Sequence, residues 1–258
     1  MELKEKRIIV SGCAKGMGEA TLNSYVKAGA DVVGMDIDTD LGQTVTANAN
    51  KNNEGKASFL RVDIGDPQSV ADAFTEASKL LGGLDALAHP AAIHSLGDPS
   101  TISPEDWDRM FSINVRGTML TNQSAFHLLK KAGGGSIINF GSISGLRPEP
   151  SSAAYSASKG AVHSWTRTAA GAWGKDKVRV NAILPAMATP MYKEANANMS
   201  EEAKTASYWM NHRSIALGEE YGDPESDLGP VMVFFASDAS KFITGQLIPV
   251  DGGQASIR

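Results

Sequence analysis

Short runs of apolar and β-branched residues recur along the chain, separated by longer stretches of mixed character. The runs are "RIIV" from Arg7, "DVVGMD" from Asp31, "ASFLRV" from Ala57, "DALAH" from Asp85, "SIINF" from Ser136, "VRVNAIL" from Val178 and "QLIPV" from Gln246. Runs of this length suit strands buried on both faces, and the stretches between them are long enough for crossover helices. The rhythm predicts an α/β fold: one domain over residues 1–258, a doubly wound parallel sheet flanked by helices on both faces. "AGGGS" from Ala132 reads as a helix-to-strand turn, because a strand follows at once. The segment from Thr189 to about Asp223 breaks the rhythm. It is longer than an ordinary connection and rich in Met, Tyr and Trp, which predicts a lid.

Composition narrows the partners. Charged residues make up 21% and hydrophobic residues 42%, as expected of a folded globular chain. The net charge is −5 and no dense Lys/Arg cluster occurs, so neither a nucleic-acid surface nor an anionic membrane is expected. A lone cysteine, Cys13, cannot form an intramolecular disulfide, and no Cys/His set has metal-ligand spacing. The N-terminal "MELKEKRIIVSG" is apolar too briefly for a signal core or a membrane span. The expectation is a cytoplasmic protein with no metal.

Directly after the first strand, "SGCAKGMGEA" puts Gly12, Gly16 and Gly18 at the opening of a helix. Such a turn is either a plain strand-to-helix connection or a cradle in which the backbone and the helix N-terminus hold a pyrophosphate. Asp36, ending the second strand, favours the cradle: a carboxylate there can accept from both hydroxyls of an adenosine ribose and repels a 2′-phosphate. That predicts NAD over NADP. Lys15 argues the other way, since a lysine in the turn can pair with a 2′-phosphate. Further on, Tyr155 precedes Lys159 by four residues in "SSAAYSASKG". Residues so spaced share a helix face, and the pair either aims a phenol and an ammonium at one spot or lies on a solvated surface.

With the glycine turn, Asp36 and the Tyr155/Lys159 pair in one chain, the sequence resembles the short-chain dehydrogenase/reductase family, whose fold is Rossmann-like. The resemblance runs over nearly the whole chain. It implies a catalytic set of Ser142, thirteen residues before the tyrosine in "INFGSISG", Asn114 in "FSINVRG", Tyr155 and Lys159. It implies cofactor contacts at Gly12, Lys15, Gly16, Met17, Gly18, Asp36, Asp63, Ile64, Ala91, Pro185 and Thr189, with Tyr155 and Lys159 facing the nicotinamide ribose. Two departures stand out. "HPAA", from His89 to Ala92, replaces the family's Asn-Asn-Ala-Gly, and Ala186 replaces the glycine after Pro185.

The chemistry accounts for the pair. Oxidising an alcohol needs an acceptor for the hydroxyl proton as hydride leaves the carbon, and a free phenol, with a pKa of about 10, is a poor base near neutrality. A nearby ammonium stabilises the phenolate and brings Tyr155 towards a useful range. Ser142 would hold the substrate oxygen, and Asn114 would anchor a water linking Lys159 to solvent. Substrate-facing candidates are Ser142, Ser144, Tyr155, Met187 and Tyr192, with His94, Leu146, Met191, Tyr208, Trp209 and Met210 around them. Being mostly apolar, they favour a hydrophobic cyclic or aryl secondary alcohol, unless they serve to pack the lid or a neighbouring subunit. The resemblance further implies a homotetramer joined by helices at roughly 104–132 and 153–173 and by the C-terminal strand. Rival readings are an NADP-dependent 3-oxoacyl-thioester reductase, an epimerase of the extended branch and a non-enzymatic nucleotide sensor.

Overall fold

The computed structural model describes residues 2–51 and 53–255. The side chains of Met191, Ala195, Ala203, Ser207 and Met210 also lie outside the described set, so the substrate contacts expected of Met191 and Met210 fall outside it. Seven strands, β1 Arg7–Ser11, β2 Asp31–Asp36, β3 Lys56–Arg61, β4 Ala86–His89, β5 Gly135–Phe140, β6 Val178–Pro185 and β7 Leu247–Val250, form one sheet. Every pair is parallel, in the order β3-β2-β1-β4-β5-β6-β7. The helices are α1 Gly16–Lys27, α2 Thr39–Ala49, α3 Pro67–Leu81, α4 Pro104–Phe111, α5 Gly117–Ala132, α6 Ala153–Trp173, α7 Pro190–Ala197, α8 Glu201–Met210 and α9 Gly229–Ala236.

The sheet divides two apolar layers. Ile8 and Val10 join Leu22, Tyr25, Val45 and Met232 from α1, α2 and α9, whereas Ile9 points the other way, to Val70, Phe74, Ala125 and Ala169 from α3, α5 and α6. Both faces of the central strands are therefore dry, which is why they read as continuous apolar runs rather than alternating ones. Each fully buried aliphatic side chain contributes about 1.5–3 kcal/mol. The chain runs outward from β1 through β2 to β3 and then returns to β4 on the other side of β1. Open α/β sheets take their ligands in a crevice at such a reversal, here at the C-terminal ends of β1 and β4.

One element differs from its sequence pattern. The stretch that reads as a single helix over 104–132 is α4 and α5 joined by a π-helical turn, Ser112–Arg116. Turns of this kind add one residue to the helical circuit and re-aim the side chains within it. Here the side chain re-aimed is Asn114, which is 1% exposed. The segment expected to form a lid contains α7 and α8, a short turn His212–Ser214 and a loop leading to Asp223.

Candidate active site

The turn after β1 is shaped by what glycine lacks. Gly12 has φ +80° and Gly16 φ +61°, and a Cβ on Gly12 would stand 2.6 Å from the Ala91 Cα. On Gly18 it would stand 1.8 Å from the Gly12 carbonyl oxygen. The Met35 carbonyl accepts from the N–H groups of Gly12 and Cys13 at 2.7 and 3.2 Å. Asp36 pins the same turn, accepting from the Ala14 N–H at 2.9 Å and the Asp38 N–H at 3.1 Å. Asp38, Asp66, Ser103 and Thr189 cap α2, α3, α4 and α7, whereas no side chain caps α1, α5, α6 or α9. The first turn of α1, around Gly16, Met17 and Gly18, thus presents N–H groups and a partial positive charge without a side-chain acceptor, as a diphosphate site requires. Lys15 is exposed beside it. Cys13 is fully buried, its thiol pushed up to about 12 by burial first and by the Asp36 carboxylate second, so it remains an unreactive filler beneath Gly34.

The remaining cofactor candidates edge the same crevice. Asp63 accepts from the Gly65 N–H at 2.9 Å, while Ile64, 8% exposed, packs its side chain into the core against Gly117. Ala91 donates to the Ser11 carbonyl at 3.1 Å. Thr189 lies near the glycine turn: a Cβ on Gly16 would meet its Cγ2 at 3.6 Å. Both departures from the family pattern are accommodated. Pro90 falls just beyond β4, where no ladder N–H is lost, and the Ala92 methyl is exposed. Following Pro185, Ala186 donates to Val250 at 2.9 Å and accepts from Gly222 at 3.0 Å, with its methyl buried. His89 is buried, and its Nδ1 lies 2.5 Å from Ser11 Oγ.

The unbroken helix α6 brings Tyr155 and Lys159 to the end of β5. Lys159 is 4% exposed, its Nζ 5.5 Å from the centre of the Tyr155 ring and donating to the Phe140 carbonyl at 2.7 Å. Burial lowers its pKa to about 8. Ser142, just past β5, accepts from the Ser144 N–H and reaches Ser144 Oγ, both at 3.2 Å. Tyr155 departs from the sequence expectation: burial raises its pKa, opposed by a hydrogen bond with Ser142. The Lys159 ammonium is committed to a carbonyl, so desolvation of the phenol prevails over the expected stabilisation of the phenolate. Asn114 is committed too. Its Oδ1 accepts from the Ile93 N–H at 2.8 Å, and its Nδ2 donates to the Ile93 carbonyl at 2.9 Å and to Ser158 Oγ at 3.1 Å. The π-turn thus lets one amide join the loop after β4 to α6.

His94 stands edge-on to Tyr155 with ring centres 4.6 Å apart, its Nε2 3.2 Å from Ser152 Oγ. Tyr192 Oη lies 2.5 Å from His212 Nε2, and the Tyr192 ring packs edge-on against Tyr221 at 4.9 Å. Leu146 and Trp209 are exposed, while Tyr208 is hydrogen-bonded to Glu219. Met187, expected to face substrate, is partly buried, packs against the core and lies beside Gly222, with which it forms a parallel bridge. Sequence reasoning missed three groups: the Phe140 carbonyl, Ser158 and His163. Only His163 left a trace, by continuing the spacing of Tyr155 and Lys159 by another four residues.

Comparison with known proteins agrees with this architecture. A family model described as enoyl-(acyl carrier protein) reductase matches residues 12–255. Meso-2,3-butanediol dehydrogenase of Serratia marcescens is 34% identical over 98% of this chain and 96% of its own length. Cyclopentanol dehydrogenase of Comamonas testosteroni is 32% identical over 97% of each chain. A short-chain type dehydrogenase/reductase from Mycobacterium ulcerans superposes with a TM-score of 0.90 at 28% identity, covering 99% of this chain and 91% of that one. The chain belongs to the short-chain dehydrogenase/reductase family, with a Rossmann-like fold and the chemistry of a nicotinamide-dependent oxidoreductase acting on alcohols. Among the described residues no helix is long and apolar enough to cross a membrane, and no group of three or more His, Cys, Asp or Glu could hold a metal.

Proposed function

We propose that the protein is an NAD-dependent dehydrogenase of secondary alcohols, with a hydrophobic cyclic or aryl substrate. The observation that carries this reading is the convergence of Tyr155, Lys159 and Ser142 at the end of β5, in the same crevice as the uncapped α1 turn and Asp36. Gly12, Gly16, Met17 and Gly18 would hold the diphosphate, Asp36 the adenosine ribose, and Asp63, Ile64, Ala91, Pro185 and Thr189 the rest of the cofactor. When bound, oxidised NAD supplies the hydride acceptor and a positive charge near the phenol. Ser142 Oγ fixes the substrate hydroxyl, and Tyr155 Oη takes its proton. Lys159 turns from the Phe140 carbonyl towards the phenol and the nicotinamide ribose, which lowers the Tyr155 pKa at about 1.4 kcal/mol per unit. Asn114 keeps the loop after β4 in register with α6, while Ser144, Tyr192 and the exposed Leu146 and Trp209 line an apolar approach.

Support for the substrate class comes from relatives named for cyclopentanol and for butanediol. The homotetramer rests on the family resemblance; a furrow between α4–α5 and α6, where Phe111, Val115, Met119, Val162 and Trp165 lie among Asp108, Arg109 and Arg116, suits one of its interfaces. A single cysteine, and so no intramolecular disulfide, suits a reducing compartment such as the cytoplasm. One rival keeps a specific observation in its favour: exposed Lys15 and the printed description of the family model fit an NADP-dependent 3-oxoacyl-thioester reductase. Absorbance at 340 nm separates the two. The proposed activity requires NADH formation from cyclopentanol or 2,3-butanediol, with kcat/KM for NAD at least about tenfold above NADP. Faster oxidation of NADPH by an acetoacetyl thioester would reverse the assignment.

A further inference from the structure

Tyr155, Lys159 and His163 follow one another at intervals of four on the inner face of α6, and the third has no part in the chemistry above. His163 is 1% exposed. Its Nε2 lies 3.3 Å from the backbone nitrogen of Ser142, placed to accept that N–H. The ring occupies space that two glycines leave open. A Cβ on Gly141 would come within 2.5 Å of His163 Nε2, and one on Gly145 within 2.7 Å of its Cε1. Gly141 and Gly145 bracket the turn that carries Ser142 and Ser144, so the imidazole fills the hollow under that turn.

We propose that His163 is a positioning residue for Ser142, holding the 142–145 turn from beneath so that the serine hydroxyl keeps its place beside Tyr155. This rests on the role given above to Ser142. The acceptor role demands a neutral ring with its proton on Nδ1. The surroundings enforce neutrality: burial, then the Lys159 ammonium and the Arg167 guanidinium, lower the His163 pKa to about 4, with the Gly145 backbone as the opposing influence. Nδ1 makes no hydrogen bond of good geometry among the described residues. Of the two ring nitrogens, Nε2 has the better-placed partner, the Ser142 N–H, while the Gly145 backbone makes only a poorly aligned contact with the ring. A phenylalanine would fill the hollow equally well but accept nothing. Displacing a reacting group by about 1 Å costs on the order of 100-fold in rate, so a loosened turn is read directly in kcat.

The test is a double-mutant cycle in the full chain with NAD and an oxidised alcohol. His163→Phe is expected to lower kcat about 10- to 100-fold with little change in the NAD dissociation constant. In a Ser142→Ala background the same substitution is expected to cost almost nothing more, because there is no hydroxyl left to place. His163→Gln, which restores a neutral acceptor, is expected to recover several-fold over His163→Leu of similar size, and this pair carries the comparison should His163→Phe fail to fold. Equal kcat for the Gln and Leu variants, or a His163→Phe loss that multiplies fully with Ser142→Ala, overturns the proposal. A Ser142→Ala variant with wild-type kcat overturns the role of Ser142 itself, and the positioning role with it. A silent His163→Phe beside a crippled Ser142→Ala overturns only the inference about His163.

Discussion

The inner face of α6 and the segment after β6 that is expected to act as a lid are built in opposite ways. On α6, 21 residues run without a break, and Ser158, Lys159, His163 and Thr166 are all under 5% exposed. Most of their polar atoms have protein partners: Ser158 Oγ donates to the Tyr155 carbonyl at 2.7 Å, and Thr166 Oγ1 accepts from Asn139 at 3.1 Å. The lid has two helices of 8 and 10 residues, with Trp209 66% and Leu217 77% exposed. Polar ties within it include Tyr192–His212, Tyr208–Glu219 and Arg213–Glu219. Among the described residues these ties are part-buried or exposed, as expected of an element that opens at low cost. Groups that handle protons need fixed positions, whereas groups that admit substrate need to move.

The comparison breaks most sharply at Tyr155. Tyr155→Phe is expected to cut kcat by about 10³-fold or more, since the proposed proton acceptor is lost, while NAD affinity changes by less than about threefold. Stopped assays with the purified variant, together with fluorescence titration of NAD, check both halves. Near wild-type turnover would mean that the most rigid face in the cleft carries no chemistry.

Lys159 sharpens it by separating function from stability. Lys159→Ala is expected to lower kcat by about 10²-fold and also to weaken NAD binding, because one ammonium serves phenol and ribose. In cofactor-free protein the same residue is a burden. Its pKa falls from 10.5 to about 8 in the folded state, so between those values the unfolded chain binds more protons and stability rises with pH. Below pH 8 the whole penalty is present, roughly 3 kcal/mol at about 1.4 kcal/mol per pH unit before the Phe140 hydrogen bond is counted against it. Lys159→Met should therefore melt higher than wild type at pH 7, with the gap closing towards pH 10. A lower melting temperature at pH 7 would show that the hydrogen bond outweighs desolvation.

Much of this was legible in the chain, for identifiable reasons. The strands could be read because both faces of the sheet are covered, which leaves uninterrupted apolar runs. Gly12 and Gly18 stood out because the turn excludes a Cβ there, and Gly16 because its positive φ disfavours a side chain. Properties that belong to assembly were hidden. The π-turn at Ser112–Arg116 depends on how Asn114 reaches the Ile93 backbone across the fold, so periodicity alone reads one helix there. The direction of the Tyr155 pKa depends on burial, and the side chain of Met187 was claimed by the core. His163 left only its spacing of four from Lys159, which gained a meaning once the Gly141–Gly145 turn lay over it.

The cofactor rim should respond less than α6. Asp36 holds the Ala14 and Asp38 N–H groups and, in the proposed reading, the adenosine ribose. Asp36→Ala is expected to lower kcat/KM with NAD and raise it with NADP, narrowing the ratio by about 10-fold, since exposed Lys15 remains to meet a 2′-phosphate. Measured specificity constants for both cofactors decide it. An unchanged ratio would reduce Asp36 to a clasp on the glycine turn.

The smallest effect is expected in the lid, and there its kind matters more than its size. Tyr192→Phe removes one hydroxyl, the partner of His212 Nε2, and leaves the edge-on contact with Tyr221 in place. A hydrogen bond between partly exposed groups contributes about 0.5–1.5 kcal/mol, so closure should weaken by roughly 2- to 10-fold. If α7 and α8 act as a gate, that factor enters KM for the alcohol and leaves kcat and the NAD dissociation constant almost untouched, because Tyr155 and Lys159 are positioned without the lid. Hydrogen exchange supplies the independent readout. Amides of α7 and α8 should gain protection on adding NAD and substrate, and gain less in Tyr192→Phe, while those of α6 remain protected throughout. Equal protection of α7 and α8 in the free and bound states would remove the lid from the mechanism and make the two regions alike.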